Sequence, residues 1–160
     1  MEGMVTVMAT GVFDLLHLGH LYFLKEAKKL GDELVVVVAT DKTARKLKHI
    51  PITSQDMRVE MVGELKPVDK AVLGHEDDRY RIVKELKPDI IALGYDQKHD
   101  EERIKTDLKN MGMDVKVVRL EPFVDHDLDG TRKIIRKVID WYIFQSRMVE
   151  IEGNAEEEKH

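Results

Sequence analysis

The chain has no cysteine among its 160 residues, only four prolines and a single tryptophan. Without thiols there can be no disulfide framework and no thiolate metal site, and a reducing compartment is the expected setting. No apolar run approaches the roughly 20 residues that a membrane-spanning helix requires. The opening "MEGMVTVMATG" lacks the basic flank and cleavage region of a secretory signal. A cytoplasmic protein with no membrane partner is therefore expected. A dinucleotide fingerprint of the G-x-G-x-x-G type is also missing, which counts against a dehydrogenase. Strong charge of one sign is absent as well: the formal net charge is -5, and the last eleven residues, "EIEGNAEEEKH", hold five Glu against one Lys, leaving the rest near neutrality. A surface built to bind nucleic acid is thereby disfavoured.

What is present is an alternation of short β-rich runs with helical patterns. Strands are expected at Met4–Thr10, Leu34–Thr40, Ala71–Leu73, Asp89–Leu93 and Val115–Leu120, four of them almost unbroken apolar runs. Strands of that kind are covered on both faces, and helices between them imply a parallel sheet. The expected fold is α/β: a single Rossmann-like domain with a parallel five-stranded sheet and helices on both faces, spanning residues 1–149. Residues 150–160 are expected to form an acidic, disordered tail. Helices are expected near Leu18–Leu30, Ser54–Leu65, Asp78–Leu86, Glu101–Met111 and Thr131–Val149. Gly31 and Gly112 stand at expected C-terminal caps, and Thr53 with Asp56 resembles a capping box. Ligands of such folds bind at the carboxyl ends of the strands. Attention therefore falls on the loops Gly11–His17, Asp41–Thr53, Gly74–Asp77, Gly94–Asp100 and Glu121–Gly130.

The first of these loops is the most informative. "TGVFDLLHLGH" leaves the first strand at Gly11 and enters a helix near Leu18 or Gly19, whose unpaired N–H groups suit a phosphate. His17 and His20, three apart, project to one side and supply two further donors, while Gly19 between them admits close approach. A zinc pair is disfavoured because no third ligand lies nearby in sequence. The scattered His75, His99 and His126 and the acidic run Asp125, Asp127 and Asp129 read as polar loops, and no protein metal site is expected.

"GVFDLLHLGH" resembles the signature of the nucleotidyltransferase superfamily, Gly-x-Phe-Asp-x-x-His-x-Gly-His, and the similarity extends over roughly Val5–Val138. The resemblance implies that His17 and His20 are catalytic, stabilising charge on the nucleotide phosphates. It implies nucleotide-binding roles for Val12, Phe13, Leu18 and Gly19, with Asp14 holding the loop. Lys46 or Lys48, with Arg58, would contact phosphate or the acceptor. Gly94 and Asp96 in "ALGYDQ" would lie beside base and ribose, with capping of the following helix as the other reading of Asp96. Relatives carry Ile-Ser-Thr-Thr-x-Ile where this chain has "DLDGTRKII". Thr131 is kept as a nucleotide contact, and Arg132 would substitute electrostatically. The stretch "GYDQ", together with "LGDELVVVVATDKTARKLK" and "MRVEMVGELKPVDKAVLG", is similar to archaeal-type FAD synthases. The implied reaction is adenylyl transfer from ATP to FMN, releasing pyrophosphate, with magnesium or another divalent cation arriving on the nucleotide. A CTP-dependent glycerol-3-phosphate cytidylyltransferase and a nucleotide-sensing module are the alternatives. A homodimer is implied, aided by the apolar and aromatic "IIRKVIDWYIF".

Overall fold

The computed structural model describes residues 3–47, 50–123, 128 and 130–157, with side chains as far as Ile151. Five strands, β1 (Thr6–Gly11), β2 (Glu33–Val38), β3 (Lys70–Leu73), β4 (Ile90–Leu93) and β5 (Lys116–Arg119), pair in parallel in the order β3-β2-β1-β4-β5. The helices are α1 (Leu18–Lys28), α2 (Asp41–Lys46), α3 (Gln55–Gly63), α4 (Arg81–Leu86), α5 (Glu101–Asn110) and α6 (Thr131–Glu157).

The unbroken apolar strands divide their side chains by the two-residue period of a strand. Val7, Ala9, Leu34, Val36, Val38 and Ala92 pack on one face with Leu24 and Ala27 of α1 and Val62 of α3. Met8, Val37, Ile91, Leu93 and Val117 turn to the other face, against Ile82 and Val83 of α4 and Ile104 and Leu108 of α5. Helices thus cover both faces, as a parallel sheet requires. Sheet order reverses between β1 and β4, because the chain steps outward from β1 to β2 and β3 and then returns to the opposite side.

Four local expectations are corrected. The loop expected over Asp41–Thr53 contains α2, whose N-cap Thr40 accepts a hydrogen bond from the Thr43 amide at 3.2 Å. The cap of α3 is Ser54, accepting from Met57 N, whereas Thr53 turns its hydroxyl elsewhere. Gly31 has no left-handed backbone; a Cβ there would meet Val7 Cγ2 at 2.7 Å and the Val5 carbonyl at 2.8 Å, so close approach to the start of β1 is what requires glycine. Gly112, after α5, does adopt φ +70. The last helix continues past Val149 to Glu157, so the described part of the expected tail, 150–157, is helical, and residues 158–160 lie outside the described ones. From Arg136 onward the described side chains of α6 are solvent-exposed, including Trp141, Tyr142 and Phe144. Among the described residues no helix is long and apolar enough to cross a membrane.

Candidate active site

The turn from β1 into α1 is backbone under strain. Phe13 has φ 56 and Leu15 φ 44, left-handed values that cost a side-chain-bearing residue roughly 1–3 kcal/mol and persist only where the surroundings enforce them. Two charged residues do so here. Asp14, buried between the strained pair, accepts from the amides of Ile52 and Thr53 at 2.7 and 3.0 Å and from the Thr53 hydroxyl at 2.7 Å. Burial alone would raise its pKa, but these donors and the charge of Arg58 outweigh it and hold Asp14 below its ordinary value.

Arg58, expected at a phosphate, lies beneath the loop instead and is only 2% exposed. Its guanidinium donates to the carbonyls of Val12 (2.7 Å), Ala39 (2.8 Å) and Thr53 (3.1 Å) and to the Asp41 carboxylate (2.7 Å). The side chain is an internal tie between the ends of β1, β2 and the start of α3. Asp41, in turn, is held below the ordinary carboxylate range chiefly by its bond to Arg58.

On this frame α1 begins. His17 is its N-cap, and its Nδ1 accepts the His20 amide at 3.4 Å. An accepting Nδ1 places the proton of a neutral imidazole on Nε2, where it is a donor. The amides of Leu18 and Gly19 have no partner among the described residues, as the first turn of a helix dictates. The His17 and His20 rings stack with centroids 3.8 Å apart, and Phe13 packs against His20 at 5.4 Å. His20 Nδ1 is buried with no hydrogen-bond partner. Burial, and then the neighbouring His17, push the His20 pKa down to about 3, with the Asp14 carboxylate opposing them. The ring is neutral at pH 7.

A pH dependence follows. An unfolded histidine takes up a proton near 6.5, whereas folded His20 refuses one until about 3. Its contribution to stability is therefore complete above 6.5 and is lost as pH falls toward 3, at no more than about 1.4 kcal/mol per pH unit. Urea denaturation between pH 6.5 and 4.5, above the range where Asp14 titrates, should show stability falling with pH and a flatter profile in His20→Gln. Superimposable profiles would refute the assignment.

The other expected residues are distributed around this point. Thr131 opens α6 and donates its hydroxyl to the Asp14 carbonyl at 2.7 Å, with exposed Arg132 beside it. Lys46, on the last turn of α2, reaches the Glu76 carbonyl at 3.3 Å, and Lys42 pairs with the Glu76 carboxylate at 2.9 Å. Lys48 lies outside the described residues, as do Asp125, His126, Asp127 and Asp129. Gly94 is buried at the end of β4 and Asp96 is exposed beyond it. Asp96 does not cap the next helix, since Asp100 does. His75 pairs with Glu85, and burial together with Arg79 and Arg119 lowers the pKa of His99. Among the described residues no three His, Asp or Glu side chains converge in a way that could hold a metal ion.

Two residues that shape the site receive no role from the sequence, although Gln97 closes the stretch "GYDQ". Gln97 and Arg119 both bond to the loop after β4. A charged residue closing the apolar run "VKVVRL" was the available signal for the second, since arginine at a sheet end is rarely buried without partners.

The arrangement is a helix N-terminus with two open amides and two imidazoles, set at the switch point of a parallel sheet, and it suits a polyphosphate. The chain matches the family model described as cytidylyltransferase-like over residues 8–151. The chain belongs to the cytidylyltransferase-like family. Within it, the chain is 62% identical over 137 residues to a protein named FAD synthase from Aciduliprofundum boonei, covering 86% of this chain and 92% of that one. A protein of the same name from Thermoplasma acidophilum is 53% identical over 137 residues, covering 86% and 96%. A crystal structure described as a lipopolysaccharide core biosynthesis protein from Thermoplasma volcanium GSS1 superposes with a TM-score of 0.75 at 56% identity, covering 76% of this chain and all of that one. The fold alone extends further, to a pantoate-beta-alanine ligase from Francisella tularensis at 15% identity and a TM-score of 0.55, over 77% of this cytidylyltransferase-like chain and 60% of that one.

Proposed function

We propose that this chain transfers the adenylyl group of ATP to the phosphate of FMN, forming FAD and pyrophosphate. The observation that carries the reading is the 62% identity, over nearly the full length of both chains, to a protein named FAD synthase. An oxygen of the FMN phosphate attacks the α-phosphorus of ATP; the new P–O bond forms as the bond to the β-phosphate oxygen breaks, and pyrophosphate leaves. A phosphate monoester is largely ionised near pH 7, so the attacking oxygen needs no dedicated base. Catalysis reduces to alignment and to donors aimed at developing charge.

In this reading the open amides of Leu18 and Gly19, and the backbone of Val12 and Phe13, hold the triphosphate while His17 and His20 donate to it. Thr131 and Arg132 flank the outer phosphates. The cations after β2, Lys46 and Lys48, meet the acceptor phosphate, and Gly94 and Asp96 the adenosine. In this reading a divalent cation is carried by the phosphates of ATP itself and keeps most of its waters. The setting is the cytosol, where both substrates are dissolved.

The test is incubation with magnesium and each donor–acceptor pair, followed by chromatography. FAD from ATP and FMN is expected. CDP-glycerol from CTP and glycerol 3-phosphate, with no FAD, would overturn the reading.

We also propose that the chain forms a homodimer through α6, because the exposed Val138, Ile139, Trp141, Tyr142, Phe144 and Val149 give that helix an apolar surface that no other described residue of the chain covers. Light scattering at micromolar concentration should return twice the mass of one chain, reduced by Trp141→Glu with Tyr142→Glu. A single-chain mass for the parent would refute it.

A further inference from the structure

We propose that Gln97 and Arg119 are positioning residues for the nucleoside. They fix the loop Gly94–His99 against the end of β1 and so set where Tyr95 and Asp96 stand relative to a triphosphate at the start of α1. The proposal rests on ATP as the donor.

Backbone pairing between β1 and β4 ends at Ala9 with Ala92. Past that point the loop of β1 departs toward the face of α1 and the loop of β4 toward the face of α5, which opens the crevice in which such sheets bind ligands. The next rung is made by a side chain. Gln97 Nε2 donates to the Thr10 carbonyl at 2.6 Å, and its Oε1 accepts the Gly94 amide at 3.1 Å. One amide group thus spans the crevice floor and ties the loop of β4 to the root of the histidine loop.

Arg119, at the end of β5, secures the same loop from the other side. Its guanidinium donates to the carbonyls of Gly94 (2.8 Å), Gln97 (3.0 Å) and His99 (2.7 Å). A rigid, permanently charged fork can serve three carbonyls at once; a lysine ammonium on a flexible stem does so far less well. With its carbonyls drawn inward, the loop presents Tyr95, 57% exposed, and Asp96 outward. Asp96 makes no side-chain hydrogen bond among the described residues. The loop's shape therefore does not depend on the two residues it displays.

Charge decides which part of the substrates meets them. Lys42, Arg45 and Lys46 cluster after β2, on the far side of β1 from β4, where an acceptor phosphate is suited. A carboxylate such as Asp96 repels phosphate and accepts hydrogen bonds from ribose hydroxyls or an exocyclic amine. The phosphate end of ATP and its nucleoside are then read by adjacent strands, at a span the Gln97 amide sets.

The proposal is tested with Gln97→Met, which keeps length but not the amide, and with Arg119→Lys, so that misfolding of one variant leaves the other. Calorimetric affinities for a non-hydrolysable ATP analogue and for inorganic triphosphate, both with magnesium, are compared with KM for each substrate and with kcat. Affinity for the ATP analogue and KM for ATP should weaken about tenfold, while affinity for inorganic triphosphate, KM for FMN and kcat stay within about threefold. A merely structural role would move both affinities together. Parallel losses, or no loss in either variant, would overturn the proposal. Failure of the parent to make FAD would instead remove the substrate assignment, and the two binding affinities would still decide the proposal.

Discussion

The His17→Ala and His20→Ala variants are each expected to turn over about 10²–10³-fold more slowly than the parent, the usual loss for one donor aimed at transition-state charge. The fold should survive, because both rings lie at a helix start and His20 already keeps an unpartnered buried nitrogen. The effect should fall on kcat more than on KM: imidazole donors help most when charge builds on the phosphates, and the amides of Leu18 and Gly19 continue to bind the ground state. In the proposed reaction each ring would donate as a neutral imidazole, because burial keeps the proton off His20 and the Nδ1 of His17 accepts an amide hydrogen. The double variant should lose less than the product of the single losses, because both donors serve one polyphosphate. Single-turnover formation of FAD measures this, and parent-like rates in both variants would refute the assigned roles.

The second large effect concerns stability. Arg58→Met removes a buried cation from three carbonyls and a carboxylate. Breaking a buried charged network by deleting one partner costs about 3–5 kcal/mol, and thermal unfolding should drop by roughly 10 °C for a domain of this size. Activity should fall with it, since the carbonyl of Val12 and the carboxylate of Asp41 lose the group that fixes the strained turn. Arg58→Lys should recover little, because an ammonium cannot reach the same partners with a planar fork. Exposed Lys46, replaced by Ala, should leave stability within about 0.5 kcal/mol. A phosphate contact at Arg58 would show the reverse pattern, an unchanged melting temperature with a raised KM, and that outcome would remove the tie described above.

These two cases mark the boundary of what the sequence discloses. All five strands were legible because a sheet covered on both faces writes itself as runs such as "ELVVVV", and the histidine turn because its ten residues are contiguous. Helix α2 was not legible: six mostly charged residues carry no apolar period, and only Thr40 followed by Asp41 marks its start. The continuation of α6 past Val149 was missed because its acidic composition reads as solvated tail, although Glu and Ala favour helix. Arg58 could be found but not interpreted. Its partners are main-chain carbonyls 5, 19 and 46 positions away in sequence, and a carbonyl has no residue identity to read. Gln97 and Arg119 escaped for the same reason.

The reversal of strand order between β1 and β4 has a consequence for how such a chain can diverge. On the proposed assignment, the groups that would act on phosphorus stand on the segment leaving β1, and those that would face the nucleoside on a segment leaving β4 some eighty residues later. They adjoin at the seam between two strands, which the Gln97 side-chain amide bridges. A change confined to the loop of β4 would then alter which base is held without altering the loop that carries the histidines. On that assignment the choice of nucleoside and the making of the bond are separable within one fold, in a chain that matches the cytidylyltransferase-like family model and is similar to proteins named FAD synthase.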